Sequence, residues 1–203
     1  MYEQDRRQPS LATLTRLARA LGATPAQLLT PPSPPCAAPP DEAETDRALM
    51  SEALRLAQEA AANGETPVGC VVAREGVIVG RGRNRREGRR CALAHAELEA
   101  IAEACRTLGG WRLWQCTLYV TLEPCPMCAG AILNARIPRV VYGAADPKAG
   151  SCGSVCDLFC MTYNHRPRAE QGLLADESAA LLRGFFRDLR SKKREKTKKQ
   201  EKL

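Results

Sequence analysis

The chain has 203 residues, 44% hydrophobic and 26% charged, with a net charge of +7. That composition is ordinary for a globular protein, and a chain of this length buries roughly 70% of its unfolded surface. No run of eighteen apolar residues exists, which excludes a transmembrane helix, and MYEQDRRQPS lacks the apolar core of a secretory signal, so a cytoplasmic protein is expected.

The charge sits at the ends. Residues 191–203 (SKKREKTKKQEKL) carry +5 and residues 1–40 carry +2, whereas residues 41–190 hold nineteen of each sign. In the first segment Leu11, Leu14, Leu17, Ala18 and Leu21 follow helical spacing, with Gly22 as a C-cap and a second short helix from Thr24. Residues 30–40 (TPPSPPCAAPP) hold six of the fourteen prolines and are expected to form a stiff linker. The chain therefore divides into a helical segment 1–29, a linker 30–40, a body 41–190 and a basic, disordered tail 191–203.

Within the body, Asp41 to Asn63 reads as an amphipathic helix ended by Asn63-Gly64. Val68–Ala73 and Val77–Gly80 flank Arg74-Glu75-Gly76 and predict a hairpin. Ala94–Leu108 predicts a helix with Leu98, Ile101 and Ala102 inward, ended by Gly109-Gly110. Thr117–Thr121 is a buried strand, Pro124 onward a helix, and Arg139–Gly143 a strand. A fifth strand near Ala169–Leu173 and a helix from Asp176 to about Arg190 complete the order. Helices alternating with strands imply an α/β fold, a three-layer α/β/α arrangement around a central five-stranded sheet.

The chemistry gathers at His95-Ala96-Glu97 and at Pro124-Cys125-Pro126-Met127-Cys128. A C-x-x-C at a helix start puts two sulfurs one turn apart at the positive end of the dipole, which favours thiolates. Ten cysteines in a chain with no secretory signal point to metal ligation rather than disulfides. Two cysteines and one histidine make three zinc ligands and leave the fourth tetrahedral position for water, which marks a catalytic site. Glu97, two residues after the histidine, is placed to move protons at that position. The combined H-x-E and P-C-x-x-C pattern is the known signature of zinc nucleobase deaminases.

The agreement extends well beyond the metal motif. It covers TPVGCVV (66–72), GRGRNRREG (80–88), LAHAELEAI (93–101), LYVTLEPCPMCAGAI (118–132), RVVYGAADPKAGSCGS (139–154), NHR (164–166), GLLADE (172–177) and FFRDLR (185–190). Over about 46–190 the chain resembles the bacterial tRNA-specific adenosine deaminase (TadA) family of the cytidine deaminase-like superfamily. The resemblance implies a mixed five-stranded sheet, one Zn2+ per subunit on His95, Cys125 and Cys128, and Glu97 as proton shuttle. It also implies that Asn84 hydrogen-bonds the flipped adenine and that Asp146 approaches the anticodon-loop backbone. A homodimer and an anticodon stem-loop substrate, an arginine tRNA reading ACG, follow from the same resemblance. One departure stands out: many members have Asp-Pro-Thr where this chain has Cys91-Ala92-Leu93.

The segment YEQDRRQPSLATLTRLARALGATPAQLL resembles the last half of a Cro/C1-type helix-turn-helix domain. The helices that would enter a DNA groove are missing, so DNA binding is not expected. Cys152, Cys156 and Cys160 recur every four residues and would share one helix face. His165 reads equally as a substrate-edge residue or as a structural histidine. Three functions compete: deamination of wobble adenosine to inosine in tRNA, deamination of a free base or nucleoside such as guanine or cytosine, and a non-enzymatic DNA-binding regulator. The intact Glu97 opposes the last, and the basic ends and DPKAG block oppose the second.

Overall fold

The computed structural model describes residues 40–200, together with Thr13, Thr15, Arg16 and Ala18 of the N-terminal segment, which are helical. The rest of the predicted helix-turn-helix remnant, the proline-rich linker and residues 201–203 lie outside the described residues. The chain forms two units, Met1–Pro39 and Pro40–Leu203. No helix of the described residues is long and apolar enough to cross a membrane.

The second unit runs α1 (Pro40–Ala62), β1 (Gly69–Arg74), β2 (Val77–Arg83), α2 (Arg86–Arg89), α3 (Ala96–Leu108), β3 (Cys116–Leu122), α4 (Pro126–Ala135), β4 (Arg139–Ala144), β5 (Arg168–Gln171) and α5 (Ala175–Gln200). The five strands form one sheet in the order β2-β1-β3-β4-β5. β1 is antiparallel to both β2 and β3, while β3, β4 and β5 are parallel, so the sheet is mixed as expected. The hairpin turns at Glu75 (φ 53°) and Gly76 (φ 76°), the paired left-handed conformations of a tight hairpin turn.

Side chains alternate across the sheet, and this alternation builds two cores. Val72, Leu118, Val120, Val140 and Tyr142 pack with Ala100, Ala104, Ala129 and Ile132 of α3 and α4. Val71, Ala73, Tyr119 and Val141 face the other way, onto Leu49, Met50, Ala53 and Leu56 of α1. The result is three layers, with α1 and α5 on one face and α3 and α4 on the other.

The inward face of α3 differs in part from the expected one: Ile101 is buried as predicted and Leu98 half-buried, but the face is centred on alanines. Ala96, Ala100, Ile101 and Ala104 are buried, whereas Ala102 is exposed. The cause is close approach to β2: a Cβ on Gly80 would lie 2.2 Å from the Ala100 carbonyl oxygen, and one on Gly82 would lie 2.0 Å from that of Ala96. Glycine on the strand allows that seating, which carries the start of α3 to its place in the site.

Two further differences concern the C-terminal half. β5 covers Arg168–Gln171, slightly before the predicted stretch. α5 continues through the basic segment to Gln200 instead of giving way to a disordered tail at 191. Lysine, arginine, glutamate and glutamine are all good helix formers, so nothing in 191–200 ends the helix begun by the body.

At the N-terminal end of β4, Arg139 bridges two layers. Its guanidinium donates to Asp46 of α1 and, at 2.8 and 3.0 Å, to both oxygens of Glu170 on β5. Burial pushes Asp46 up, but the bonds from Arg139 and Tyr119 outweigh it and hold its carboxyl below the usual range. The chemistry-bearing residues lie at the opposite end of the sheet.

Candidate metal centre and active site

Two helix starts meet beyond the C-terminal end of β3. His95 is the N-cap of α3, and Cys125 is the N-cap of α4, each with extended backbone. Pro126 follows in the first turn, where its missing N–H costs nothing, and Cys128 stands one turn on. The His95 Nδ1 is 3.6 Å from the Cys128 sulfur and 3.8 Å from the Cys125 sulfur, and all three donor atoms lie within 4.8 Å of one another. Zinc bonds of about 2.0–2.3 Å put tetrahedral neighbours roughly 3.3–3.8 Å apart, so the donor set fits that ion.

The three groups of the cluster are electrostatically coupled by their closeness. The neighbouring Cys128 thiol, followed by His95, holds Cys125 down to about 4 despite burial. Cys128 is pushed far up, first by Cys125 and then by burial, and His95 is raised by Cys125. The opposed shifts of the two thiols place the negative charge on Cys125.

Glu97 lies beside the cluster, 4% exposed. Its Oε2 is buried and has no hydrogen-bond partner among the described residues. Burial pushes its carboxyl above the usual range, with the Cys125 charge adding to the effect. A buried, unpartnered carboxylate oxygen is costly, and this one lies beside three metal-ligating atoms.

Asn84, immediately after β2, is buried, and its Oδ1 accepts the Ala96 N–H at 3.1 Å. It thereby satisfies one of the free donors at the start of α3 and leaves its NH2 group free of hydrogen bonds among the described residues. Asp146 is partly exposed in the turn after β4, where its Oδ1 accepts the Lys148 N–H at 2.9 Å.

Glu123, whose role the sequence did not reveal, organises the turn that carries Asp146. It is 2% exposed and accepts N–H groups from Asp146, Cys152 and Ser154 at 3.0, 2.9 and 3.1 Å, together with the Ser154 hydroxyl. Burial pushes it up, but these four donors outweigh burial and hold it below the usual carboxylate range. Gly150 is required here, because a Cβ would lie 2.3 Å from Glu123 Oε2. A second tie, from the Ser151 N–H to the Pro124 carbonyl at 2.9 Å, joins the same loop to the start of the cysteine motif.

On the other flank, buried Glu65 accepts the N–H groups of Glu87 and Gly88 at 3.1 and 2.8 Å, which fixes the short α2 segment before His95. The predicted cysteine stripe does not form. Cys152 bridges to Asp157 within a turn, and the Cys160 thiol donates to Asp157 at 2.8 Å. Glycine at 150 and 153 and the pull of Glu123 on this segment replace helix with turns. Among the described residues His95, Cys125 and Cys128 are the one metal-capable cluster. His165 lies 2.8 Å from the Ile137 carbonyl through Nε2, the structural of its two readings.

Residues 44–190 match the MafB19-like deaminase family model. The tRNA-specific adenosine deaminase of Bacillus subtilis is 46% identical over 150 residues, 73% of this chain and 93% of that protein. A solved structure from a study of A-to-I editing by tRNA:A34 deaminases at the wobble position is 43% identical, with a TM-score of 0.65, covering 66% of this chain and 99% of that one. A guanine deaminase from Nitrosomonas europaea, 23% identical with a TM-score of 0.56 over 77% of this chain and 97% of that one, shares the fold alone. With the metal motif, the buried glutamate and the sheet order in place, the chain belongs to the tRNA-specific adenosine deaminase family within the MafB19-like deaminases.

Proposed function

We propose that this protein hydrolyses the wobble adenosine, position 34 of a tRNA anticodon loop, to inosine and ammonia. The observation that carries the reading is the unpartnered Oε2 of buried Glu97 against the His95, Cys125 and Cys128 donors. One Zn2+ per subunit would be held by those three residues, and when bound it supplies Lewis acidity that lowers the pKa of water.

Glu97 takes a proton from the attacking water and passes it to N1 of adenine while oxygen adds to C6. It then carries the second proton to the exocyclic amine, the C6–N6 bond breaks, and ammonia leaves as the C6 carbonyl forms. Asn84, its oxygen committed to Ala96, turns its NH2 toward an acceptor on the base edge. Asp146, held by Glu123, contacts the loop sugar or backbone at the rim. An unpaired loop suits this site because extruding a base costs least where it is neither paired nor fully stacked.

The favoured substrate is the arginine tRNA reading ACG, met in the cytoplasm by a homodimer. Residues 41–190 form the deaminase domain, and the segment 1–29 and linker 30–40 stand outside the chemistry. The test is to incubate zinc-loaded protein separately with an ACG stem-loop, adenosine, guanine and cytosine, and to follow product by mass spectrometry. Inosine in the stem-loop alone is expected. Deamination of a free base or nucleoside at an equal or higher rate would overturn the reading in favour of a free-base enzyme.

A further inference from the structure

The segment from Asn84 to Arg90 leads from β2 toward His95, and little in its own sequence holds it. Four of the six residues at 85–90 are arginine, so like charges lie side by side. No residue of α2 is buried, and Arg85 before it offers no acceptor to the N–H groups that follow. The Arg85 Nε is itself buried with no hydrogen-bond partner among the described residues. Arg90 closes the segment in the left-handed region (φ 50°), which is unfavourable for a residue with a Cβ. Arg89 pairs with Glu99 at 2.5 Å, but its side chain is half exposed and such a pair contributes little.

The tie comes from the turn between α1 and β1. Glu65 is buried there, and each of its carboxylate oxygens accepts one N–H, Oε2 from Glu87 at 3.1 Å and Oε1 from Gly88 at 2.8 Å. The fit is close, since a Cβ on Gly88 would lie 3.3 Å from Oε1. The turn is anchored in its own right by the Glu65 N–H, which donates to the Ala60 carbonyl at 3.0 Å. Three residues on, the Val68 carbonyl accepts the Asn84 N–H at 3.1 Å. One turn thus holds the segment at two points.

Asn84 depends on both. Its Oδ1 accepts the Ala96 N–H at the start of the helix that bears Glu97, so its NH2 keeps a fixed place only while the backbone around it does. Burying a carboxylate costs stability, and α2 adds no buried side chain to offset that cost. Placement of the segment, rather than stability of the core, accounts for the arrangement.

We infer that Glu65 is a positioning residue for the deamination: by holding the segment that follows β2, it fixes the amide with which Asn84 meets the base edge. The inference rests on the adenosine deaminase reading above and adds to it a group that acts through another residue.

The test uses full-length zinc-loaded protein. In Glu65→Ala, amide hydrogen exchange should accelerate at residues 84–90 while zinc content is unchanged. For the ACG stem-loop, KM and Kd should rise about tenfold, the order of one hydrogen bond to the base, with kcat little changed. Asn84→Ala should raise Kd by a similar factor. Adding Glu65→Ala to it should raise Kd no further, because two residues that act as a unit are not additive. Glu65→Gln keeps one acceptor oxygen and should fall between wild type and Glu65→Ala, and it replaces the alanine variant in every comparison if that variant does not fold.

An unchanged Kd would overturn the inference. So would a fully additive loss in the double variant, which would mean that Glu65 acts elsewhere than through Asn84. Loss of zinc, or exchange accelerated throughout the body, would make Glu65 a general structural residue and overturn it too. If wild-type protein binds the stem-loop yet forms no inosine, the functional reading fails, while exchange and Kd still judge the hold of Glu65 on residues 84–90.

Discussion

Glu97 and Glu123 occupy the same end of the sheet, flank the same cysteine motif, and are 4% and 2% exposed. Their surroundings are opposite. Glu123 receives four hydrogen bonds and is held below the usual carboxylate range, so its charge is fully used in fixing the turn that carries Asp146. Glu97 has one oxygen without a partner and is pushed above that range by burial. Burial alone thus says little about a carboxylate's task. The number of donors aimed at it separates a brace from a group free to take a proton.

The contrast can be broken most forcefully at the metal ligands. Cys125→Ala or Cys128→Ala should lose zinc and all measurable turnover, and should destabilise the body because a bound metal contributes to folding directly. Zinc content by mass spectrometry and thermal unfolding check both effects. Full zinc occupancy in either variant would remove that cysteine from the ligand set.

Glu97→Gln is the next largest. It should retain zinc, fold and stem-loop affinity while turnover drops by at least about a hundredfold, the lower end for general acid–base catalysis. Loss of zinc in this variant would instead make Glu97 a ligand.

Glu123→Gln should have the reverse profile. Replacing an oxygen that faces N–H donors with an amide should cost about 1–3 kcal/mol of stability and weaken substrate affinity through the Asp146 turn, leaving zinc in place. The pH dependence sharpens the distinction. Because the folded pKa of Glu123 is lowered, its stabilisation is present above the unfolded value of about 4.3 and is lost as pH falls through the folded value. The melting-temperature gap between wild type and Glu123→Gln should therefore be widest near neutrality and close in acid. A gap that stayed constant with pH would mean the charge of Glu123 is not what holds the turn.

The smallest effect is expected from removing residues 1–39. The residues assigned to the chemistry run from Asn84 to Asp146, so turnover on the stem-loop and zinc content should be unchanged. A fall in turnover at constant zinc would give the N-terminal segment a part in substrate handling.

What the sequence made legible follows from how local each signal is. His95, Glu97, Cys125 and Cys128 were readable because their spacings within two helix starts determine where the donor atoms meet. β1, β3 and β4 were readable because both of their faces are covered and give apolar, β-branched runs, whereas the short, polar edge strand β5 was placed slightly too late. Glu123 was not readable in its role, since its partners come from 23 to 31 residues further along the chain. The cysteine stripe at 152–160 misled because a four-residue period means a helix face only if a helix forms, and glycine at 150 and 153 favours turns. On α3 the expectation held at Ile101, which is buried, and failed at Ala102, which is exposed, because the glycines that set the helix's seating lie on a different element, β2.

The most direct measurement is the inosine content of tRNA in cells that lack this protein. The expected result is adenosine in place of inosine at position 34 of the arginine tRNA reading ACG, restored by the wild-type gene and not by Glu97→Gln. Unchanged inosine in the deletion, or full restoration by Glu97→Gln, would contradict the assignment of this chain and of that carboxylate to the reaction.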